Sequence, residues 1–276
     1  MTTDPEVARP AVTLSPKLEE LAVRLWAVRR DGGTIDADSP DVTQPKTLSE
    51  AYAVQLAVIA HSGEAVRGFK VGSTSAEAQK KLGTTEPGSC LIPASLILQS
   101  PARFAVDPDH HPAVEGEFAL RLGRDMPARP DDYSFDEVRA AVDQVAGAIE
   151  LVGSRFAGGL DGKGRLLVTA DSGADMALIL GAMRPFMADT DLRGHGVAMQ
   201  VNGETRGEGT GARALGDPLK VLHWLVNQQS QWGRGMFKGE WIATGTCTGL
   251  DLVRPDDIIA ADFGDLGVVE LALETG

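Results

Sequence analysis

Glu115 and Glu117 are the pair in this chain whose types and spacing could do chemistry. They stand two apart in Ala113-Val-Glu-Gly-Glu-Phe-Ala-Leu-Arg-Leu122, where Val114, Phe118, Leu120 and Leu122 alternate with Glu115, Glu117, Ala119 and Arg121. That is the period of a β-strand, so both carboxylates leave one face. Two adjacent carboxylates repel unless a proton or a cation lies between them. A hard divalent cation such as Mg²⁺ or Mn²⁺ takes oxygen ligands of this kind and keeps positions open for water or substrate. The competing reading is a strand face turned to solvent.

Three further stretches bear on that choice. Glu150 ends the apolar run Val145-Ala-Gly-Ala-Ile-Glu150 and is followed by Leu151-Val152. A carboxylate inside an apolar strand needs a partner. It is either a third ligand of the same cation or the partner of nearby Arg155 in an ion pair. Lys70 lies in Arg67-Gly-Phe-Lys-Val-Gly-Ser-Thr74, between glycines that let backbone approach a ligand. It suits carboxylate binding or proton transfer, or it is a solvated surface lysine. Gly207-Glu-Gly-Thr-Gly-Ala212 lacks the Lys-Ser/Thr of a phosphate loop and reads as a flexible loop near a site. His61, His110, His111, His195 and His223 show no HxxH or HExxH spacing, which argues against zinc, and no GxSxG nucleophile setting occurs.

The whole chain constrains the partners. It has 276 residues, 43% hydrophobic and 24% charged, enough for a sizeable core. Its 26 basic against 39 acidic side chains give a net charge of −13, which argues against nucleic acid. An anionic substrate would then need a local positive centre. Cys90 and Cys247 form no disulfide framework, so a reducing cytoplasm is expected. No apolar run is long enough for a membrane span, and the first residues do not read as a secretory signal.

The elements that must position these groups are legible in outline. Residues 1–14 read as a frayed leader. Ser15-Pro16 opens a helix with Leu18, Leu21, Leu25 and Val28 as its stripe, closed by Gly32-Gly33. Thr47-Leu-Ser-Glu50 is a capping box for a second helix that ends near Gly63. Strands are expected at 66–71, 90–98, 102–106, 113–122, 145–153, 176–182, 197–202, 241–244, 250–253, 258–263 and 267–273, with Asn202-Gly203 as a hairpin turn. Helices are expected at 75–82, from the capping box at Ser134 to about 143, and from Asp217-Pro218 to Gly233. Irregular alternation of strands and helices predicts an α+β fold, a mixed sheet or roll. The expected division is an N-terminal helical region, 1–65, and a catalytic region, 66–276.

In family order these stretches resemble the fumarylacetoacetase superfamily, in its branch of 2-keto-4-pentenoate hydratases and 4-oxalocrotonate decarboxylases. The resemblance is carried by Gly68-Phe-Lys-Val-Gly-Ser-Thr-Ser75, Lys81-Leu-Gly83, Val114-Glu-Gly-Glu117, Ala148-Ile-Glu-Leu-Val152, Ala170-Asp-Ser172, Asn202-Gly203, Gly216-Asp-Pro-Leu219 and Ala261-Asp-Phe-Gly264. It implies a mixed β-roll with an N-terminal helical layer and a divalent metal, Mg²⁺ or Mn²⁺, on Glu115, Glu117 and Glu150. It also implies Lys70 as the site lysine, with Asp171 as a further acid/base or positioning candidate. Gly72, Ser73, Leu82, Ser172 and Thr246 are the expected substrate-binding residues. The implied activity is hydration of 2-hydroxypenta-2,4-dienoate (2-oxo-4-pentenoate) or a related 2-oxo acid in aromatic-compound catabolism. Decarboxylation of a 4-oxalocrotonate-type acid is the alternative, and a non-catalytic metal-binding partner subunit is an alternative of another class. A homo-oligomer is implied as well. The chain departs from the family in Gly153-Ser-Arg155, in the absence of tryptophan across 153–163, and at Ser172 and Thr246. Those changes fall on the expected substrate wall.

Overall fold

The computed structural model describes residues 13–276, so most of the expected leader lies outside the described residues. Two helices come first, α1 (Pro16–Asp31) and α2 (Leu48–Ser62). Ser15 caps α1 and a complete Thr47/Glu50 capping box opens α2. The chain then lays down β1 (Val66–Gly72), α3 (Ala76–Leu82), β2 (Gly88–Pro93), β3 (Ile97–Gln99), β4 (Ala102–Val106), β5 (Ala113–Leu122), α4 (Phe135–Arg139), β6 (Val142–Val152), α5 (Gly164–Ala170), β7 (Asp175–Leu180) and β8 (Arg184–Pro185). It ends with β9 (Gly196–Val201), β10 (Glu204–Thr210), α6 (Pro218–Gln231), β11 (Trp241–Thr246), β12 (Asp251–Leu252), β13 (Ile258–Asp262) and β14 (Val268–Thr275).

The strands form two sheets. The larger runs β2-β1-β11-β5-β6-β7-β3, with β12 beside β5 and β8 beside β6; the smaller runs β10-β9-β13-β14-β4. Only β1–β11, β3–β7 and β14–β4 pair in parallel, so both sheets are mixed, as expected. The larger sheet curls until β2 approaches β7. Its inner face is lined by Ala119, Ala146, Ala148 and Ala243 with Ile92, Leu178, Leu180 and Trp241. Small side chains on the concave face let the strands close without overfilling the interior. The convex face carries Phe69, Val71, Phe118, Leu120 and Ile149, and packs against α6 and the smaller sheet in the main core. A second core joins Leu18, Leu21, Leu25, Val54 and Val58 of α1 and α2 to Phe156, Leu167 and Ala170. The N-terminal helices therefore pack directly on the segment that carries α5.

Several elements differ from expectation for identifiable reasons. The helix opened by Ser134 stops at Arg139, because Val142 is drawn into the ladder opposite Leu122. The strand expected over 90–98 is β2 and β3 separated by a short 3-10 turn at Ala94–Leu96. Gly207–Thr210 is not a loop but the outer half of β10, paired to β9 across the two-residue Asn202-Gly203 turn. Its glycines serve close packing: a Cβ at Gly209 would collide with the Cys247 carbonyl, and one at Gly207 would come within 2.8 Å of the Thr248 carbonyl.

Candidate metal centre

One end of the rolled sheet is charged. There the C-terminal ends of β1, β6 and β11 meet the N-terminal ends of β2, β5 and β7. Register fixes the acids. Glu115 of β5 lies directly opposite Glu150 of β6, and Glu117 lies opposite Thr246 of β11. Glu115, Glu117 and Glu150 each bring a carboxylate oxygen within 4.8 Å of the others. Glu117 and Glu150 are 1% exposed, and Glu115 alone keeps partial access to solvent. Lys70 of β1 enters the same cluster at 4% exposure. Its ammonium pairs with Glu150 Oε1 and donates a hydrogen bond of 2.8 Å to the Gly173 carbonyl. Ala119, Ala148 and Ala243 share this face with Glu117, Glu150 and Lys70, so the charged end continues the inner face of the roll.

The electrostatics follow from this crowding. Burial, then Glu150, pushes the Glu115 carboxyl up to about 7, against the pull of Lys70 and a hydrogen bond with Thr246. Burial, then Glu150 and Glu115, pushes Glu117 well above the usual carboxylate range, while the Gly245 N–H donating to its Oε2 at 2.8 Å works the other way. For Lys70 burial favours the neutral amine, but Glu150 and the other surrounding carboxylates outweigh it and raise the pKa. Three acids and one ammonium thus leave excess negative charge. Lys70 is the one cation paired with the three acids among the described residues. Three hard oxygen ligands within 4.8 Å of one another, with a single ammonium among them, fit a divalent cation. Mg²⁺ or Mn²⁺ would meet carboxylates from three residues and retain open positions.

The remaining expected residues divide. Thr246 touches Glu115, and its Oγ1 accepts from Gly249 N at 2.8 Å. Ser172 is buried at 1%, its φ is +52°, and its Oγ has no hydrogen-bond partner among the described residues. It begins a left-handed run, Ser172–Ala174, that presents the Gly173 carbonyl to Lys70. Gly72 ends β1 with open space where a Cβ would stand, and Ser73 follows with φ +57°. Leu82 closes α3, half-exposed, and α3 buries none of its side chains.

Asp171 is a correction. Both its oxygens are engaged by Arg155, Oδ1 by Nε at 2.6 Å and Oδ2 by the backbone N–H at 2.8 Å. Arg155 also donates to the Asp171 and Asp175 carbonyls, so this buried pair holds the 171–175 turn in shape rather than presenting an acid to substrate. It also decides the partner of Glu150, whose cation is Lys70 and not Arg155.

Sequence reasoning missed four groups. The Gly245 N–H and the Gly173 carbonyl are backbone and carry no residue signal. Asp175 is fully buried, and neither oxygen has a hydrogen-bond partner among the described residues. Burial pushes it up to about 6 despite Arg29, whose Nη1 stands 3.8 Å away. Arg29 follows Leu18, Leu21, Ala22 and Leu25 on the buried stripe of α1, and an arginine on an apolar stripe was the available signal. Cys90 faces Lys70 across β2–β1, where burial pushes its thiol up to about 12 and keeps it neutral.

A rolled mixed sheet with three acids and a lysine at one end defines a metal-dependent enzyme fold, and the comparisons with known proteins agree. The profile of the family described as "Fumarylacetoacetate (FAA) hydrolase C-terminal" matches residues 50–273, and the chain belongs to that family. It is 30% identical over 261 residues to a 2-keto-4-pentenoate hydratase of Paraburkholderia xenovorans (strain LB400), covering 93% of this chain and 95% of the relative. It is 29% identical over 227 residues to a 4-oxalocrotonate decarboxylase of Pseudomonas putida, covering 81% and 84%. Among solved structures, the 4-oxalocrotonate decarboxylase of Pseudomonas putida G7 complexed with magnesium and adipate superposes with a TM-score of 0.83 at 26% identity, over 95% of this chain and 99% of that one.

Proposed function

We propose that this protein is a metal-dependent hydro-lyase that adds water to 2-hydroxypenta-2,4-dienoate (2-oxo-4-pentenoate) or to a related 2-oxo acid of aromatic-compound catabolism. The convergence of Glu115, Glu117, Glu150 and the Lys70 ammonium at one end of the roll carries this reading. The relatives named as hydratases support it.

Glu115, Glu117 and Glu150 would hold Mg²⁺ or Mn²⁺. When bound, the cation supplies a Lewis acid that draws negative charge onto the 2-oxo oxygen and neutralises the substrate carboxylate. The Gly245 N–H and Thr246 hold Glu117 and Glu115 in place. Lys70 Nζ, fixed by the Gly173 carbonyl, is the proton-bearing group beside that oxygen. It donates a proton to C5 and takes up the proton that leaves the 2-hydroxyl, directly or through one oriented water, so that the dienol ketonises to the conjugated 2-oxo-3-enoate. Water then adds across the conjugated double bond, its oxygen to the far carbon and its proton to the carbon beside the carbonyl. The buried, unpartnered Ser172 Oγ would hydrogen-bond to substrate in this reading.

Decarboxylation of a 4-oxalocrotonate-type acid is the second reading, favoured by the likeness to the two solved decarboxylase structures. It would use the same charge withdrawal. The test is a dienol-absorbance assay with Mg²⁺ or Mn²⁺ alongside CO₂ detection. Loss of dienol without CO₂ is expected, and neither Glu115→Gln nor Glu117→Gln should retain it; full activity in either variant would sink the metal reading. CO₂ release selects the decarboxylase. Metal binding without turnover of either acid selects a non-catalytic partner.

Three coarser inferences accompany this reading. The division at residue 65 assigns all three acids and Lys70 to residues 66–276, with α1 and α2 as a cover held by the second core. Self-association is supported by the exposed apolar side chains Leu250, Leu252 and Ile258. A cytoplasmic setting is supported by the two buried free thiols, Cys90 and Cys247. No described helix is long and apolar enough to cross a membrane.

A further inference from the structure

We infer that Arg29 of α1 and Asp175 at the head of β7 are positioning residues for Lys70, so that the N-terminal helix is a working part of the catalytic apparatus. The inference rests on the proton-transfer role given to Lys70 above.

Asp175 is a fourth acid beside the metal centre, and the proposed reaction gives it no step. The β6–β7 register sets it opposite Val152, two residues beyond Glu150. Opposed residues share a face, as do residues two apart along a strand. Asp175 therefore turns toward the interior that holds Glu150 and Lys70. It is fully buried, and neither carboxylate oxygen receives a hydrogen bond from the described residues. It also closes the Ser172–Ala174 turn, whose Gly173 carbonyl holds the Lys70 ammonium.

A buried carboxylate needs a countercharge. Burial favours the protonated form of Asp175, and Arg29, then Lys70, then Arg155 are the cations that oppose it. Arg155 is committed elsewhere: its Nε binds Asp171 Oδ1 at 2.6 Å, and its Nη1 and Nη2 donate to the Asp175 and Asp171 carbonyls. Lys70 is already engaged by Glu150 and the Gly173 carbonyl. Arg29 is the cation left over. Its Nη1 stands 3.8 Å from Asp175 Oδ2, and its Nη2 is buried with no acceptor. The helix sets this reach. Leu18, Leu21 and Leu25 seat α1 on Phe156, Leu167 and Ala170, and Arg29 follows Leu25 by one turn on the same face. Without the charge of Arg29, Asp175 has Lys70 as its nearest free countercharge and competes with Glu150 for it. Arg29 thus keeps the one ammonium of the metal centre in place. An ion pair that only fastened α1 to the roll would change stability and leave the turnover of folded protein alone.

The experiment is steady-state turnover of the dienoate by the full chain at saturating Mg²⁺, with kcat referred to folded protein by urea unfolding and Mg²⁺ affinity followed by calorimetry. Arg29→Gln should lower kcat by about 10- to 100-fold, the effect of moving a reacting group by about 1 Å, while KM and Mg²⁺ affinity are kept. Adding Asp175→Asn to Arg29→Gln removes the competitor for Lys70 and should return kcat to near the wild-type value. Asp175→Asn alone should cost less than Arg29→Gln. Arg29→Lys keeps the charge at shorter reach and should fall between wild type and Arg29→Gln; it takes the place of Arg29→Gln in both comparisons should that variant not fold. A wild-type kcat in Arg29→Gln, or a double variant as slow as Arg29→Gln, overturns the inference and leaves the proposed function standing. If the wild type releases CO₂ from 4-oxalocrotonate instead, the same comparisons are read on that acid. A wild type that turns over neither acid overturns the catalytic reading, and this inference with it.

Discussion

Metal-free protein should lose stability as the pH rises from about 5 to 8, and Mg²⁺ should restore more of it the higher the pH. The cause is the carboxylate cluster. Glu115 stands at about 7 in the folded protein against 4.5 ordinarily. At about 1.4 kcal/mol per pH unit, that rise corresponds to about 3 kcal/mol, and partial solvent access at Glu115 brings it nearer 2 kcal/mol. The folded pKa is raised, so the folded state favours the protonated form. Its stabilising contribution is complete below about 4.5 and is lost as the pH climbs through 7. Glu117 acts in the same direction. Lys70 stays charged throughout this window and adds no slope. For a chain of this size 2 kcal/mol corresponds to a fall of about 4–8 °C in melting temperature. A bound cation replaces the proton, so its stabilisation, set by free metal against Kd, grows as proton competition ends. The assay is thermal melting in EDTA and in millimolar Mg²⁺ across that range, with Glu115→Gln as the control whose metal-free slope should shrink. A metal-free melting temperature that is flat or rising, or a Mg²⁺ increment equal at both ends of the range, would refute the reasoning.

Two perturbations test the groups that hold the site in shape. Gly173→Ala places a Cβ on a left-handed residue, φ +62°, at 2.6 Å from Cys90 Sγ and 3.3 Å from Lys70 Cε. It should cost about 1–3 kcal/mol in urea unfolding and lower kcat by displacing Lys70, while calorimetric Mg²⁺ affinity is kept. Unchanged kcat would show that the Gly173 carbonyl does not position the ammonium. Arg29→Ala removes the nearest cation from buried Asp175, which already stands at about 6. The variant should be destabilised more at pH 8 than at pH 5, because protonation of Asp175 relieves the unpaired charge; an equal deficit at both pH values argues that Arg29 acts only by packing.

What the sequence carried and what it did not can be told apart physically. The period of two across 113–122 placed Glu115 and Glu117 on one face, because strand alternation is local. Glu150 and Lys70 belong to other strands, and only the β5–β6 register and the curl that returns β2 toward β7 bring them to the pair. No local pattern encodes that register. α5 was invisible because it is one short segment among Gly158, Gly159, Gly162 and Gly164, and its N-cap Lys163 makes no side-chain cap. The 207–211 glycines misled because glycine serves equally for a mobile loop and for a strand pressed on another backbone. Only the Cys247 and Thr248 carbonyls beneath them decide which.

The same ambiguity explains why the substrate wall was harder to read than the metal centre. A cation site is announced by charge that burial makes intolerable without a ligand, and three acids in apolar strands meet that description. A substrate wall is defined partly by side chains that are missing. At the end of β1 the space over Gly72 is open, whereas the space over Gly88 is filled by Arg165, which lies 77 residues further on in sequence.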